Sequence, residues 1–475
     1  MSHGKEKRMN KVIVKEADRL FMDEVAAPQV LFGKEDYERR LALLVERMRA
    51  CGLSHVLIYG DGVHYSSIEY FSGYDCRFEE ALFIVDARGK RSIVVGNEGV
   101  SQTYPIPYDV EVYLYQNFSL QGQPRDKLEE LSVIFGKAGI GASNSVGLAG
   151  YKYFEAGQIP TDPLRTHDVP SYVLDAVIRA CGPDKVVNFT RELTGIPEGI
   201  RMRIRSAKEI AWVESAGNRS AAVVQRILKR LKPGMSEVEA GFAGEAGFDP
   251  VTLHPLANFG EEKVRVGLVS PTERRLRLGE GCSLCYGTRG SLTSRAGVAA
   301  YDEGSVAPEI RPLLGFYKEF WEATVLWLEE ARVGASCARL YDAVMGKIGQ
   351  PEYGVSLNPT HYSGSDEWTN SPMSKDSKHS VMDGSHIQVD IIASRSRPQM
   401  TAICEDCVVI AGKDLRMALK EEYPQAYERV LRRQEAARSV LGIRLHDDVL
   451  PMSNLNFAYF PYMLDTGLVF AMERS

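Results

Sequence analysis

Two Cys-x-x-Cys pairs, Cys282/Cys285 and Cys404/Cys407, are the first residues in this chain with a spacing that can do chemistry. Four thiolates can hold zinc in a tetrahedral site. Both pairs lie in strand-like runs, GCSLCYGT and AICEDCVVI, and residues three apart on a straight strand point to opposite faces. The four sulfurs therefore converge only if both strands kink, and buried packing is the expected role. By the same alternation Glu405 and Cys407 share a face, and a cysteine nucleophile would need a His base within reach. In HYSGSDEWTNSP, His361 is followed closely by Asp366, Glu367 and Trp368. The two acids suit general acid–base work, and equally a turn or cap, while the Trp implies a partly buried loop that can line a pocket. Arg289, Arg295, Arg395 and Arg397 cluster around the motif strands, as a carboxylate or phosphate clamp or as solvated loop residues. His254 lies in the apolar run PVTLHPL, where a lone His is most often a satisfied core residue.

The elements that must position these residues follow from periodicity. Tyr37, Leu41, Leu44 and Met48 form one stripe of a helix over Glu35–Cys51, ended by Gly52. HVLIYG reads as a buried strand, and strand and helix patterns alternate to about Asn188, as in a compact α/β unit. The Gly/Pro-interrupted, basic stretch Thr190–Arg205 marks a domain boundary. After it comes a long helix with Ser206 as N-cap, Glu209 completing a capping box, and Pro233-Gly234 closing it. A second block from Glu309 to Gly349 repeats the plan of long helix, Gly turn and short helix, which predicts two pseudo-repeated halves.

Composition excludes several classes. The chain has 475 residues and a net charge of −6, so its field offers nothing to nucleic acid or anionic membrane. Apolar runs such as Phe320 to Leu328 are short and broken by charge, so no membrane span is expected. The opening MSHGKEKRMNKVIVKEADRL lacks an apolar h-region, and eight cysteines in so long a chain suit a reducing cytoplasm rather than a disulfide framework. No P-loop, dinucleotide fingerprint or HExxH occurs.

Several motifs together resemble the pita-bread superfamily of creatinase, prolidase and Xaa-Pro aminopeptidase. RSAKEIAWVESAGNRSAA and KPGMSEVE resemble its opening helix, and HYSGSDEWTNSP its central His-bearing loop. MDGSHIQVDIIA resembles the strand that follows, with Asp390 where Glu is usual, and AICEDCVVIAG the closing strand with Glu405. YFSGYDCRFEEALFIVD resembles the small domain that precedes the pita-bread. The resemblance covers roughly Glu35 to Gly412. It implies an α/β N-terminal creatinase-like domain over residues 1–195, an α+β pita-bread domain over 196–420, a C-terminal extension over 421–475, and a homodimer.

Metal-dependent members hold two divalent ions with two Asp, one His and two Glu, and the ions acidify a shared water. The Asp pair sits on a hairpin of the form D-x-G-x-x-x-x-G-Y-x-x-D-x-x-R. The matching tract here, Gly281 to Tyr301, contains no acidic residue, although its glycines and Arg295 remain; Asp302 and Glu303 are the nearest acids. The resemblance thus implies His361, Asp390 and Glu405 as the catalytic set. Arg295, Asp366, Glu367 and His254 are candidates for substrate binding. No metal is expected; a single Mn, Fe or Zn on His361, Asp390 and Glu405 is the alternative. Creatinase, which works without metal, has a His in a tract matched here by FGEEKVRVGLVSP, where Gly267 or Leu268 takes its place. The expected activity is hydrolysis of a small amide, short peptide or amidine-type substrate without a two-ion centre. The other two readings are a single-metal Xaa-Pro peptidase and a non-catalytic metabolite-binding protein.

Overall fold

In this computed structural model residues 11–474 are described. The chain divides into two compact units, one over Leu31–Met202 and one formed by Arg203–Ser475 with the described part of Met1–Val30. The division thus falls seven residues beyond the expected 195. The opening segment belongs with the later unit, because strand β1 (Lys11–Glu16) pairs antiparallel along its whole length with Leu468–Glu473.

The unit over Leu31–Met202 is a mixed sheet of β2 (His55–Gly60), β3 (Ala81–Asp86), β4 (Arg91–Val95), β5 (Glu111–Leu114), β6 (Val146–Ala149) and β7 (Val186–Asn188). Its order is β5-β4-β3-β2-β6-β7, with β6 and β7 joining parallel beside β2. HVLIYG is apolar without alternation because both faces are covered. Val56 and Ile58 pack with Leu41, Leu44 and Met48 of the helix Lys34–Ala50, while Leu57 and Tyr59 pack with residues of the helices Leu131–Lys137 and Ser171–Cys181. Gly52, at φ +67°, ends the first helix in the left-handed conformation that glycine adopts without strain.

The later unit carries two antiparallel sheets. One runs β13 (Ile392–Ser396), β14 (Gln399–Glu405), β10 (Ser291–Val298), β9 (Gly281–Thr288), β8 (Val251–Phe259); the other runs β11 (His361–Tyr362), β12 (Ser385–Gln388), β15 (Cys407–Ile410), β16 (Val449–Pro451). After β11 and β12 the chain passes directly between the sheets, through residues 389–391 and again at Asp406. The two crossings are tied by Val389 N–H donating to the Asp406 carbonyl at 2.8 Å. Helices Ala207–Arg230 and Glu237–Ala243, then Gly315–Glu330 and Cys337–Ile348, follow the order read from the sequence. Ser206 caps the first, its Oγ accepting from Glu209 N–H, while Glu209 Oε2 accepts from Arg205 N–H at 2.8 Å.

Residues 421–475 are no appendage. β16 completes the four-stranded sheet, and β17 (Leu468–Glu473) holds β1. The helix Pro424–Ser439 supplies Arg429 and Arg433, each 2.8 Å from Glu214, whose side chain is buried in the helix Ala207–Arg230. Burial pushes the Glu214 carboxyl up, but the two guanidiniums overturn this and hold it below the ordinary carboxylate range. Glu214 therefore adds stability above the unfolded carboxylate pKa, and that contribution disappears as pH falls through its lower folded value. Glu214→Ala leaves Arg433 buried without its counter-charge and is expected to cost about 3–5 kcal/mol at pH 7. Urea melts across pH 3 to 7 check this: the gap between variant and wild type should narrow only at the acid end.

Candidate active site

The seam between the two sheets collects the reactive side chains. His361 opens β11 opposite Gln388, and Asp390 lies in the first crossing. Glu405 ends β14 just before the second crossing, opposite Ser294 of β10, which is in turn opposite Cys285 of β9. The residue before His361 is strained: Thr360 is β-branched, fully buried and at φ +66°. Such a conformation costs on the order of 1–3 kcal/mol and persists only where the surroundings over-determine it. Here Thr360 N–H donates to the Asp390 carbonyl and the Ser371 hydroxyl to the Thr360 carbonyl, both at 2.7 Å. Residues 363–370 then form a strap, closed by Tyr362 N–H to the Asn370 carbonyl at 2.7 Å and Thr369 N–H to the Tyr362 carbonyl at 2.9 Å. The strap lays Trp368 parallel on the His361 ring, with centroids 4.0 Å apart.

His361 Nε2 lies 3.1 Å from Glu367 Oε1 and 3.9 Å from Asp390 Oδ2. Its Nδ1 is 3.1 Å from the Tyr362 carbonyl, which fixes a proton there and leaves Nε2 to face the acids. His361 is completely buried, Asp390 and Glu405 nearly so, and the Glu367 side chain is 33% exposed. One ligand atom each of His361, Glu367 and Glu405 lies within 4.8 Å of the others. Burial pulls the His361 imidazolium down, but Glu367 and Asp390 more than reverse this and raise its pKa. Burial, against the pull of His361 and with Glu367 adding, pushes Asp390 up to about 6. Burial first, then the charges of Asp390 and Glu367, hold Glu405 well above the carboxylate range. Three carboxylates this close resist ionising together, so the site favours a bound positive charge.

The structure sorts the residues read from the sequence. His361, Asp390, Glu405 and Glu367 come together. Arg295, a substrate-binding candidate in the sequence, is buried, and its donors go to both Asp406 oxygens and to the carbonyls of Ala458, Leu455, Ser294 and Glu405. Its ion-pair partner is thus Asp406, beside the cavity carboxylates and not one of them. His254 is exposed on β8, with Nε2 3.1 Å from the Ser270 hydroxyl. The Asp366 carbonyl closes the strap by accepting from Gly364 N–H at 3.0 Å. Asp302 caps a turn by accepting from Ser305 N–H at 2.8 Å, so it replaces no hairpin ligand. Gly267, at φ +74°, ends the short helix Gly260–Val266, and Leu268 is exposed. Arg395 and Arg397 stand where β13 turns into β14, Arg289 where β9 turns into β10.

The cysteines do not converge. Cys404 Sγ is 3.9 Å from Asp406 Oδ2, Cys407 Sγ is 3.1 Å from His386 Nε2, and Cys285 sits by the Ser294 hydroxyl and Glu405. The alternation that put Glu405 and Cys407 on one face fails because Asp406 is a crossing, and the two residues end in different sheets. Burial drives the His386 pKa down to about 3 and the Cys407 thiol up, so the pair is neutral and not a thiolate–imidazolium nucleophile. Sequence reasoning did not single out Thr360, His386 or Asp406. In the sequence Glu367 reads as a substrate-binding or turn residue; only the closed strap brings it to His361 and Glu405.

An imidazole nitrogen and carboxylate oxygens suit one Mn, Fe or Zn ion. The buried Asp390 Oδ1 and Glu405 Oε1 have no hydrogen-bond partner, as expected of atoms held for a cation. A second ion finds no carboxylate in residues 281–301.

No protein-family model matches the chain, and no curated protein matches it. Solved structures do. A dipeptidase PepE from Mycobacterium ulcerans superposes with a TM-score of 0.60 at 18% identity, over 80% of this chain and 94% of that one. An X-Pro aminopeptidase from Thermotoga maritima gives 0.59 at 15% over 79% and 95%. A prolidase from Pyrococcus furiosus gives 0.57 at 14% over 77% and 96%. The chain shares the fold of these peptidases. Within the later unit the sheet seam carries His361 and its acids. Among the described residues no helix is long and apolar enough to cross a membrane.

Proposed function

We propose that the protein is a hydrolase acting on a small amide, short peptide or amidine-type substrate, without a two-ion centre. The observation that carries the reading is His361, buried, with Nε2 turned to Glu367 and Asp390 and close to Glu405. His361 moves a proton between attacking water and leaving nitrogen, while Asp390 and Glu405 hold a polar or cationic group of the substrate. Trp368 covers the imidazole and limits water on that side. The peptidases of the same fold named above support a short peptide as the first substrate class to try.

The His361–Glu367–Glu405 grouping favours a second reading, a single divalent ion held there. Such an ion would supply Lewis acidity toward a carbonyl oxygen. The test is a panel of Xaa-Pro and other dipeptides, small amides and guanidino compounds, assayed with wild type and His361→Ala, each with and without chelator. Turnover that needs His361 and survives chelation supports the metal-free form. Turnover lost on chelation supports the single-ion form. No turnover on any class, with a ligand bound, sinks the enzyme reading in favour of a binding protein.

A further inference from the structure

The hairpin of β9 and β10 presents Cys285 and Ser294 toward Glu405, and no carboxylate. An acid reaches the same space from another direction. Glu367, on the strap of residues 363–370, brings Oε1 to 3.1 Å from His361 Nε2. We propose that Glu367 takes over the role of the absent hairpin acids and completes, with His361 and Glu405, a site for one divalent transition-metal ion. This rests on the reading of the seam as the working site, and it names the ligand set that the single-ion form would use.

Two independent observations carry it. The ligand atoms of the three residues lie within 4.8 Å of one another, close enough for one ion to touch all three, and the group includes an imidazole as well as acids. Separately, Glu405 is more than nine-tenths buried and its Oε1 has no hydrogen-bond partner, a state that is costly without a cation. Nitrogen plus carboxylate oxygen favours Mn, Fe or Zn over Ca or Mg. The three residues are mounted differently: His361 and Glu405 are on strands, Glu367 on a strap without regular structure. Trp368, the next residue, stacks on His361, so an ion that pins Glu367 also pins the ring that covers the site. Ion binding and strap closure are then one event.

Calorimetric titration of the chelator-stripped full chain with Mn and with Zn tests this, alongside tryptophan emission compared with Trp368→Phe. Wild type should bind one ion per chain, with an emission change absent from Trp368→Phe. Glu367→Gln should bind at least about tenfold more weakly, since affinity follows ligand charge, and Glu367→Asp should fall between. The Glu367 side chain is a third exposed, so both variants should melt like wild type. Wild-type-like affinity in Glu367→Gln, with loss in Glu405→Gln, would overturn the role of Glu367 while leaving a single-ion site. No binding by wild type would overturn the ion site itself. Neither outcome bears on the hydrolase reading, because the titration needs no turnover.

Discussion

Arg295→Met is expected to destabilise the protein by about 3–5 kcal/mol at neutral pH. The guanidinium is buried with Asp406, 2.9 Å away, and both side chains are almost fully enclosed. Removing it leaves the Asp406 carboxylate with Phe457 N–H, at 2.7 Å, as its remaining strong donor, and takes one donor each from the carbonyls of Leu455 and Ala458, which keep only Ala458 N–H at 3.1 Å and the weak Cys404 Sγ at 3.8 Å. Burial already pushes Asp406 up to about 6 with Arg295 in place. Without that cation it rises further, and the neutral acid becomes the tolerated form. A raised folded pKa means stability is retained at low pH and lost as pH rises through it. The penalty of Arg295→Met should therefore shrink from pH 7.5 to pH 5.5, and Arg295→Met/Asp406→Asn should recover part of it. Urea melts at both pH values check this. A penalty independent of pH, or no recovery in the double variant, would show that Arg295 acts by packing alone.

His361→Ala is expected to lower kcat/KM by about 10²–10⁴-fold on any substrate that wild type turns over, the usual worth of a positioned proton carrier. The side chain is held by Tyr362, Trp368 and the strained Thr360, so its loss removes chemistry and also the strap's seat. His361→Gln keeps much of the volume and separates these effects. If proton transfer is the role, the glutamine variant loses kcat with the fold intact. Substrate KM should change less than kcat, because Asp390 and Glu405 remain to hold the substrate. A His361→Gln variant with wild-type kcat would remove His361 from the mechanism.

Much of the fold was legible in the sequence because its signals are local. The stripe of Tyr37, Leu41, Leu44 and Met48, the Ser206 cap with Glu209, and the apolar run HVLIYG each depend on a few neighbouring residues, and each is present. The boundary of the units was less legible, since β1 belongs where its partner lies, more than 450 residues away. The candidate site was half legible. His361, Asp390 and Glu405 lie in or beside strands whose patterns stand out. Glu367 reaches His361 only because Thr360 turns left-handed and the strap closes on Tyr362, neither of which has a composition signal. The pairing of Arg295 with Asp406 depends on residues 455–458 folding back around it. Strand alternation misplaced Cys407 because nothing in ICEDCVV marks Asp406 as the crossing between sheets.

The central claim is that the seam has room for one positive charge and not for a two-ion centre. The direct measurement is ion stoichiometry under saturating Mn or Zn, by elemental mass spectrometry on the full chain after removal of free metal, with Glu405→Gln beside it. The account predicts no more than one ion per wild-type chain, and loss of any bound ion in Glu405→Gln. Two ions per chain, or one ion retained in Glu405→Gln, would contradict it.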